Sequence, residues 1–236
     1  MAQTLSIKAS DGSGSFGAYI AFPATGSGPA VVAIQEIFGV NASMRSICDD
    51  LAIEGYVAVC PDLFWRQEPG VDITDKSQEE WDKAFALFSG FDVAKGIDDI
   101  ATTIAAVRAV AACTDKIGAV GYCLGGLLAY LAAARTDADA CVSYYGVGIN
   151  QKLADAKGIK KPLMMHIAEK DRHVDKDQQT ELHANLDGNT FITIHDYAGV
   201  NHAFARPDGN DWDAEAATLA NERTAEFLKK HLKGSP

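Results

Sequence analysis

The stretch IGAVGYCLGGLLA, residues 117–129, joins a short apolar run to a helical pattern through a glycine-rich turn. The apolar run at 117–120 is typical of a buried strand. Gly121, Cys123 and Gly125 have the spacing of a sharp strand–turn–helix connection, in which larger side chains at the two glycines would collide with backbone. The pattern predicts that Cys123 is a nucleophile at a helix N-terminus, whose dipole favours a thiolate. The competing interpretation is a small buried thiol between glycines.

Outward from this stretch, β-rich runs alternate with longer helical patterns along the whole chain. Such alternation predicts an α/β fold with a mostly parallel sheet and helices on both faces. We expect one domain over residues 1–236, interrupted by a segment at 63–90 that covers a pocket. The expected strands are 4–9, 15–22, 30–35, 56–60, 116–122, 140–144, 163–167 and 191–197. The expected helices are 42–54, 78–89, 93–112, 124–135, 176–186 and 212–230.

Composition limits the classes of function. The 236 residues are 47% hydrophobic and 22% charged, which is ordinary for a globular chain. A formal net charge of −11 argues against binding to nucleic acid or to anionic membranes. Five scattered cysteines without a C-x-x-C pair favour free thiols in a reducing compartment over disulfides or a metal site. Because the sequence has no signal-peptide pattern and no long apolar run, we expect a cytoplasmic protein. No motif suggests a cofactor, so we expect none.

A nucleophile needs a base, and the base needs an orienting acid. Among six histidines, His202 is the best candidate, because it lies in the loop after the last expected strand. His173 also lies in a loop, but its neighbour Asp171, just after the strand at 163–167, suits the acid. The chain order is then Cys123, Asp171, His202, which is the order of nucleophile, acid and base in α/β-hydrolases. The other histidines fall within expected strands or helices.

The expected fold also predicts where an oxyanion is bound. The backbone N–H after the nucleophile belongs to Leu124, and a second donor comes from the loop after the strand at 30–35, where Ile37 is placed. Glu36 precedes it, and a carboxylate there must be paired, solvated or protonated. The alternative for Glu36 is a surface salt bridge.

The segment at 63–90 carries an aromatic stripe. Trp81, Phe85 and Phe88 are spaced i, i+4 and i+7, so they share one face of the expected helix at 78–89. Two interpretations remain compatible at this point. The stripe packs onto the body of the protein, or it forms one wall of a substrate pocket.

Five blocks of sequence resemble the dienelactone hydrolase family: QEIFGVN (35–41), GYCLGG (121–126), SYYGVG (143–148), GVNHAFAR (199–206) and TLANERT (218–224). The resemblance implies an α/β-hydrolase with an eight-stranded sheet and the triad Cys123–His202–Asp171. It implies the amides of Ile37 and Leu124 as oxyanion donors. It also implies that Glu36 contacts the resting thiol and helps to generate the thiolate when substrate binds.

The departures from the family pattern concern the substrate. Arg206 matches one of two arginines that hold the substrate carboxylate in the family, but Trp81 replaces the other arginine and Phe85 replaces a tyrosine. These replacements remove charge-assisted hydrogen bonds worth roughly 1.5–3 kcal/mol each. A larger or more apolar ester is therefore favoured. Phe38 and Tyr145, within the quoted blocks, are further candidates for substrate binding.

We expect a monomeric hydrolase that cleaves a small-molecule ester or enol lactone through an acyl-cysteine. One alternative is a general carboxylesterase or thioesterase for an apolar substrate. The other is a non-catalytic binding or redox-sensing protein that uses Cys123 as a modifiable thiol.

Overall fold

The alternating sequence pattern produces an α/β structure in the computed structural model, which describes residues 3–234. The strands are β1 (Gln3–Lys8), β2 (Ser15–Ala21), β3 (Gly28–Ile34), β4 (Val57–Pro61), β5 (Cys113–Tyr122), β6 (Ala140–Tyr144), β7 (Leu163–Ala168) and β8 (Ile192–Tyr197). They form an eight-stranded sheet in the order β1-β2-β4-β3-β5-β6-β7-β8. The sheet is mostly parallel, so the predicted fold class is confirmed.

The chain groups into two compact units, residues 1–118 and 119–236, and their boundary falls inside β5. The last six residues of this ten-residue strand are buried, as its apolar sequence predicts. The expectation of a single domain with a pocket-covering segment at 63–90 stays a prediction.

In the first unit, β1 and β2 form the expected antiparallel hairpin, in which Ile7 faces Phe16. The Ala9 N–H closes the turn by donating to the Gly14 carbonyl over 2.9 Å. β2 then pairs antiparallel with β4, and β4 pairs parallel with β3. β4 is buried along its whole length, which explains its continuous apolar sequence.

In the second unit, β6, β7 and β8 are parallel neighbours. Tyr144 of β6 aligns with His166 of β7, which aligns with His195 of β8. Parallel strands end at the same edge of a sheet, so the loops after β7 and β8 begin side by side. Glu169 donates its backbone N–H to the Tyr197 carbonyl over 3.0 Å, and Lys170 donates to Val200 over 2.9 Å.

All six expected helices are present, and several begin at the capping residues that the sequence provides. Ser77 caps the helix at 78–89 and Asp213 caps the last helix, each by accepting a backbone N–H. The helices are α1 (Ala42–Ile53), α2 (Gln78–Ser89), α3 (Val93–Arg108), α4 (Leu124–Arg135), α5 (Lys176–Leu186) and α6 (Ala214–Leu228). Within residues 3–234, none is long and apolar enough to cross a membrane.

Apart from shifts of three residues or fewer at the ends of elements, two features differ from expectation. α3 ends at Arg108 rather than at 112, because the next N–H groups donate three residues back and tighten the chain into turns before β5. The segment Ile149–Gly158 forms two short 3₁₀ turns that were not predicted. It begins after Gly148, which has a φ of 85°. Its sequence lacks a sustained helical apolar stripe, so no periodic signal marked it.

Candidate active site

The turn between β5 and α4 holds Cys123 in a backbone conformation that side chains disfavour. Its φ is 56° and its ψ is −114°, a strain of about 1–3 kcal/mol for a residue with a Cβ. The Cys123 N–H donates to the Tyr144 carbonyl over 3.1 Å, and its carbonyl accepts from Gly126 over 2.9 Å. A Cβ on Gly121 would collide with the Gly125 carbonyl, so the predicted steric need for Gly121 is confirmed.

His202 and Asp171 meet through a direct hydrogen bond in the second unit. His202 Nδ1 lies 2.8 Å from Asp171 Oδ2, and each residue is only 5% exposed. Asp171 Oδ1 also accepts the backbone N–H groups of His173 over 2.8 Å and of Val174 over 3.2 Å. These bonds fix the carboxylate and leave His202 with Nδ1 as the donor and Nε2 pointing away from the acid.

Cys123 acts on the same imidazole. Burial alone disfavours the charged ring, but the electrostatic interaction with Cys123 and the hydrogen bond to Asp171 outweigh it and raise the pKa of His202 to about 10. Within the described chain, Nε2 is buried without a hydrogen bond of good geometry. The sulfur therefore interacts with the ring at close range without a well-aligned hydrogen bond. The structure brings Cys123, His202 and Asp171 together, as the sequence predicted.

His173 packs against the same ring. Its imidazole meets His202 edge to face with ring centroids 4.7 Å apart. Burial and the positive charge of His202 lower the pKa of His173. The sequence placed His173 in this loop, but only the structure reveals the ring contact.

Backbone strain is concentrated around these residues. In the described chain, four non-glycine residues have positive φ, and three of them are Cys123, Tyr145 and Ala203, which follows His202 directly. The Tyr145 ring packs edge-on against His202 with centroids 5.0 Å apart. Arg206 lies in the same loop and is buried. Strained residues that cluster in this way mark functional sites.

In the first unit, Glu36, Ile37 and Phe38 follow β3 and are all buried. Glu36 is only 4% exposed, so the surface salt-bridge interpretation is wrong. The loop is fastened to the segment after β4, because the Ile73 N–H donates to the Phe38 carbonyl over 3.2 Å. At Gly39, with a φ of 76°, a Cβ would collide with the Val71 carbonyl. This loop therefore has a fixed backbone path.

The aromatic stripe on α2 continues from this loop. The Trp81 ring meets the buried Phe38 edge to face at 5.0 Å and stacks on Phe85 at 5.4 Å. Trp81 Nε1 donates to the Asp75 carbonyl over 3.1 Å, while Phe85 is 45% exposed. The packing interpretation is thus confirmed for Trp81. The pocket-wall interpretation stays a prediction, and it rests on the exposed end of the stack.

No group of three histidine, cysteine or acidic side chains within residues 3–234 is arranged to hold a metal ion. The side chains that the structure does bring together are a thiol, an imidazole and a carboxyl group.

Comparison with known proteins gives the family. The model of the dienelactone hydrolase family matches residues 16–232. The chain belongs to the dienelactone hydrolase family. It is accordingly a hydrolase of the dienelactone hydrolase type, as the sequence resemblance implied.

Relatives cover nearly the full chain. One from Azospirillum brasilense is 51% identical over 230 residues, which span 97% of this chain and 98% of the relative. Carboxymethylenebutenolidase 1 of Cupriavidus pinatubonensis is 40% identical over 215 residues, or 91% of this chain and 92% of that protein. A solved structure from Klebsiella pneumoniae has a TM-score of 0.82 at 24% identity, and it covers 98% of this chain and 99% of its own. That last likeness supports the fold.

Proposed function

We propose that this family member hydrolyses an ester or enol lactone through an acyl-enzyme on Cys123. The observation that carries the proposal is the buried His202–Asp171 pair, whose imidazole interacts with a cysteine held at a strained strand–helix turn. Such a pairing supplies a nucleophile, a base and an orienting acid within one unit. Relatives that bear the name carboxymethylenebutenolidase support the same class of reaction.

In the first step, the Cys123 thiolate attacks the carbonyl carbon and the carbonyl oxygen becomes an oxyanion. Leu124 opens α4, so its N–H has no acceptor within the helix and is available to the oxyanion. We assign the second donor to the Ile37 N–H, in the fixed loop after β3. The tetrahedral intermediate then collapses and the carbon–oxygen bond of the ester breaks.

Collapse releases the alcohol or enol, which takes a proton from the His202 imidazolium. His202 next removes a proton from water, and the hydroxide attacks the thioester carbonyl. The carbon–sulfur bond then breaks and the acid leaves. The proton held by His202 returns to the sulfur, or it remains on the imidazole beside the thiolate. Asp171 stabilises the imidazolium at each stage, since its carboxylate is held by Nδ1 and by two backbone N–H groups.

Glu36 is the proposed activator of the thiol. Glu36 is only 4% exposed and directly precedes Ile37, the proposed oxyanion donor. We propose that Glu36 contacts the resting thiol and, when substrate binds, shifts the thiol proton to His202, which produces the thiolate and the imidazolium of the first step. Helping to generate the thiolate is the role that the family resemblance implies for Glu36.

The substrate face favours an apolar acid or alcohol group. Trp81 and Phe85 occupy positions where the family pattern has an arginine and a tyrosine, and Phe85 offers an exposed ring. Arg206 remains as a cation for a single carboxylate, and Phe38 and Tyr145 supply further aromatic contacts. A second candidate function, a carboxylesterase or thioesterase for apolar substrates, is favoured by this aromatic stack.

We further propose a reducing compartment such as the cytoplasm. All five cysteines carry free thiols, and Cys48, Cys60 and Cys141 are buried. Free thiols are the ordinary state in that compartment.

The deciding experiment compares hydrolysis of a dienelactone with hydrolysis of an uncharged aryl ester, for the wild type, Cys123→Ala and the control Cys113→Ala. We expect Cys123→Ala to lose turnover of both esters and Cys113→Ala to retain it. Preference for the lactone would assign the family activity, and preference for the aryl ester would assign the second candidate. Full activity of Cys123→Ala would overturn the mechanism. No turnover by the wild type, with reversible oxidation of one cysteine, would support a redox sensor instead.

A further inference from the structure

A row of hydrogen-bonded polar side chains runs within the second unit from α6 through β8 and β7 to β6, behind the Cys123 turn. Arg223 donates to the Tyr197 hydroxyl over 3.1 Å, and that hydroxyl lies 2.8 Å from His166 Nδ1. His166 Nε2 lies 3.0 Å from the Thr224 hydroxyl, which lies 2.6 Å from the Tyr144 hydroxyl. His166 is 1% exposed and Thr224 is 7% exposed, so water does not substitute for these contacts.

The direction of the hydrogen bonds follows from the Tyr144 end. The Tyr144 hydroxyl reaches the Ala220 carbonyl at 3.1 Å and Asn221 Oδ1 at 3.0 Å, and both oxygens only accept. The single hydroxyl proton of Tyr144 is therefore donated to one of these two oxygens. The Thr224 hydroxyl must then donate its own proton to the Tyr144 oxygen. With its proton used, Thr224 can only accept from His166, so Nε2 carries a hydrogen.

The Arg223 end gives the same direction. A guanidinium only donates, so the Tyr197 oxygen accepts from Arg223 and its hydroxyl proton is free to point at His166 Nδ1. A bare Nδ1 is the matching acceptor. Burial, with the positive charges of His195 and Arg223, lowers the pKa of His166 well below its ordinary value. The ring is therefore neutral, with its proton on Nε2.

The far end of this chain supports the nucleophile. The Tyr144 ring stacks on Tyr122, the residue before Cys123, with centroids 4.7 Å apart. The Tyr144 carbonyl accepts the Cys123 N–H. His166 also acts through its backbone, because its carbonyl accepts the Tyr145 N–H over 2.8 Å, and the Tyr145 ring packs on His202. These hydrogen bonds thus fix residues that contact the backbone of Cys123 and the ring of His202.

We propose that Arg223, Tyr197, His166, Thr224 and Tyr144 form a one-directional hydrogen-bond chain, in which Thr224 and His166 are positioning residues for the Cys123 turn. Thr224 contributes by holding the Tyr144 hydroxyl, and His166 contributes by holding Thr224 and the Tyr145 backbone. The positioning role rests on the proposed function of Cys123, whereas the direction of the chain does not.

The direction is tested by nitrogen NMR of the histidine rings in the intact protein near neutral pH. We expect His166 to give the shifts of a neutral ring that is protonated at Nε2. A ring protonated at Nδ1, or at both nitrogens, would overturn the proposed direction of these hydrogen bonds. Because Cys123 takes no part in this measurement, its result is independent of the nucleophile assignment.

The positioning role is tested with Thr224→Val, which keeps the branched shape and removes the hydroxyl. We expect kcat to fall roughly tenfold at nearly unchanged KM, and alkylation of Cys123 by iodoacetamide, read by peptide mass spectrometry, to slow by a similar factor. Thr224→Ser should restore both rates, because it restores the hydroxyl. The control Thr218→Val, on the same helix but exposed, should change neither.

A merely structural role would lower the Tm of Thr224→Val while leaving kcat and the alkylation rate at wild-type values below the Tm. That result would overturn the positioning role. If Cys123→Ala instead retains activity, the proposed function fails, and the alkylation rate still reports whether Thr224 fixes the turn.

Discussion

The loops that carry Asp171 and His202 and the helix that carries Trp81 and Phe85 differ in how firmly their side chains are held. Asp171 and His202 are each 5% exposed and joined at 2.8 Å. Phe85 is 45% exposed and held by stacking on a single ring. The family resemblance implies that the first region keeps the family's residue types and that Trp81 and Phe85 depart from them.

This difference bears on how readily each region tolerates substitution. A buried, hydrogen-bonded charge pair tolerates few replacements, because a lost partner leaves an uncompensated polar group. An exposed aromatic ring can be exchanged at little cost in stability, since surface substitutions usually change it by about 0.5 kcal/mol or less. Substitution should therefore cost less stability on this exposed face of α2 than at the His202–Asp171 pair.

The largest effect should come from His202→Gln. Removing the base should lower kcat by about 10³-fold, which lies within the range for loss of general acid–base catalysis. The matched variant His173→Gln changes the neighbouring ring and should retain most of the activity in the same ester assay. Equal losses in the two variants would remove the distinction between the base and the residue that packs on it.

The double substitution Trp81→Arg, Phe85→Tyr restores the family residue types on α2. We expect the ratio of kcat/KM for a dienelactone over an aryl ester to rise roughly 10- to 100-fold, because new charge-assisted hydrogen bonds favour the carboxylate. Leu219→Arg, which adds the same charge at an exposed site on α6, is the control. An unchanged ratio would contradict a substrate role for this face of α2.

Glu36→Gln should slow acylation by about 10- to 30-fold. This is roughly the factor by which neutral thiol outnumbers reactive thiolate at neutral pH when no neighbouring group assists ionisation. The isosteric amide keeps the shape of the buried side chain, so the Tm should change little. Stopped-flow release of an aryl leaving group measures the acylation rate. The control Glu79→Gln, on the exposed first turn of α2, removes a negative charge from the protein surface. If Glu79→Gln slowed acylation as much as Glu36→Gln does, a specific role for Glu36 would be excluded.

The smallest effect is a titration shift. Cys123→Ala removes the electrostatic interaction that opposes the effect of burial most strongly, so the pKa of His202 should fall from about 10. NMR titration of the imidazole proton resonances measures it. His183, where burial is outweighed by the hydrogen bonds to Asp196 and Asp187 that raise its pKa, should titrate as in the wild type. An unchanged pKa of His202 would mean that the thiol and the imidazole do not interact.

Much of this architecture is readable from sequence because its signals are local. Gly121 and Gly125 around Cys123 predicted the turn, and the position of His202 and Asp171 after strand ends predicted their meeting, which the hydrogen bond at 2.8 Å confirms. Helix α2 was predicted with its observed bounds, since the aromatic stripe provides a helical period.

The rest depends on contacts between distant segments. His166 was predicted only as an ordinary strand histidine, because its partner Thr224 lies 58 residues away and no periodicity links them. The same holds for the ring contact of His173 with His202 and for the burial of Glu36, which depends on the neighbours that surround it. The 3₁₀ turns at 149–158 lacked an apolar period.

The left-handed backbone at Cys123, Tyr145 and Ala203 bears on protein engineering. Stability design would choose glycine at each of these positions, since glycine adopts such angles freely. Each change would relieve up to about 1–3 kcal/mol of strain. Cys123→Gly would delete the proposed nucleophile outright, and the other two would loosen residues around His202. Efforts to make this enzyme more heat-resistant should therefore leave these three positions untouched and look to its surface loops.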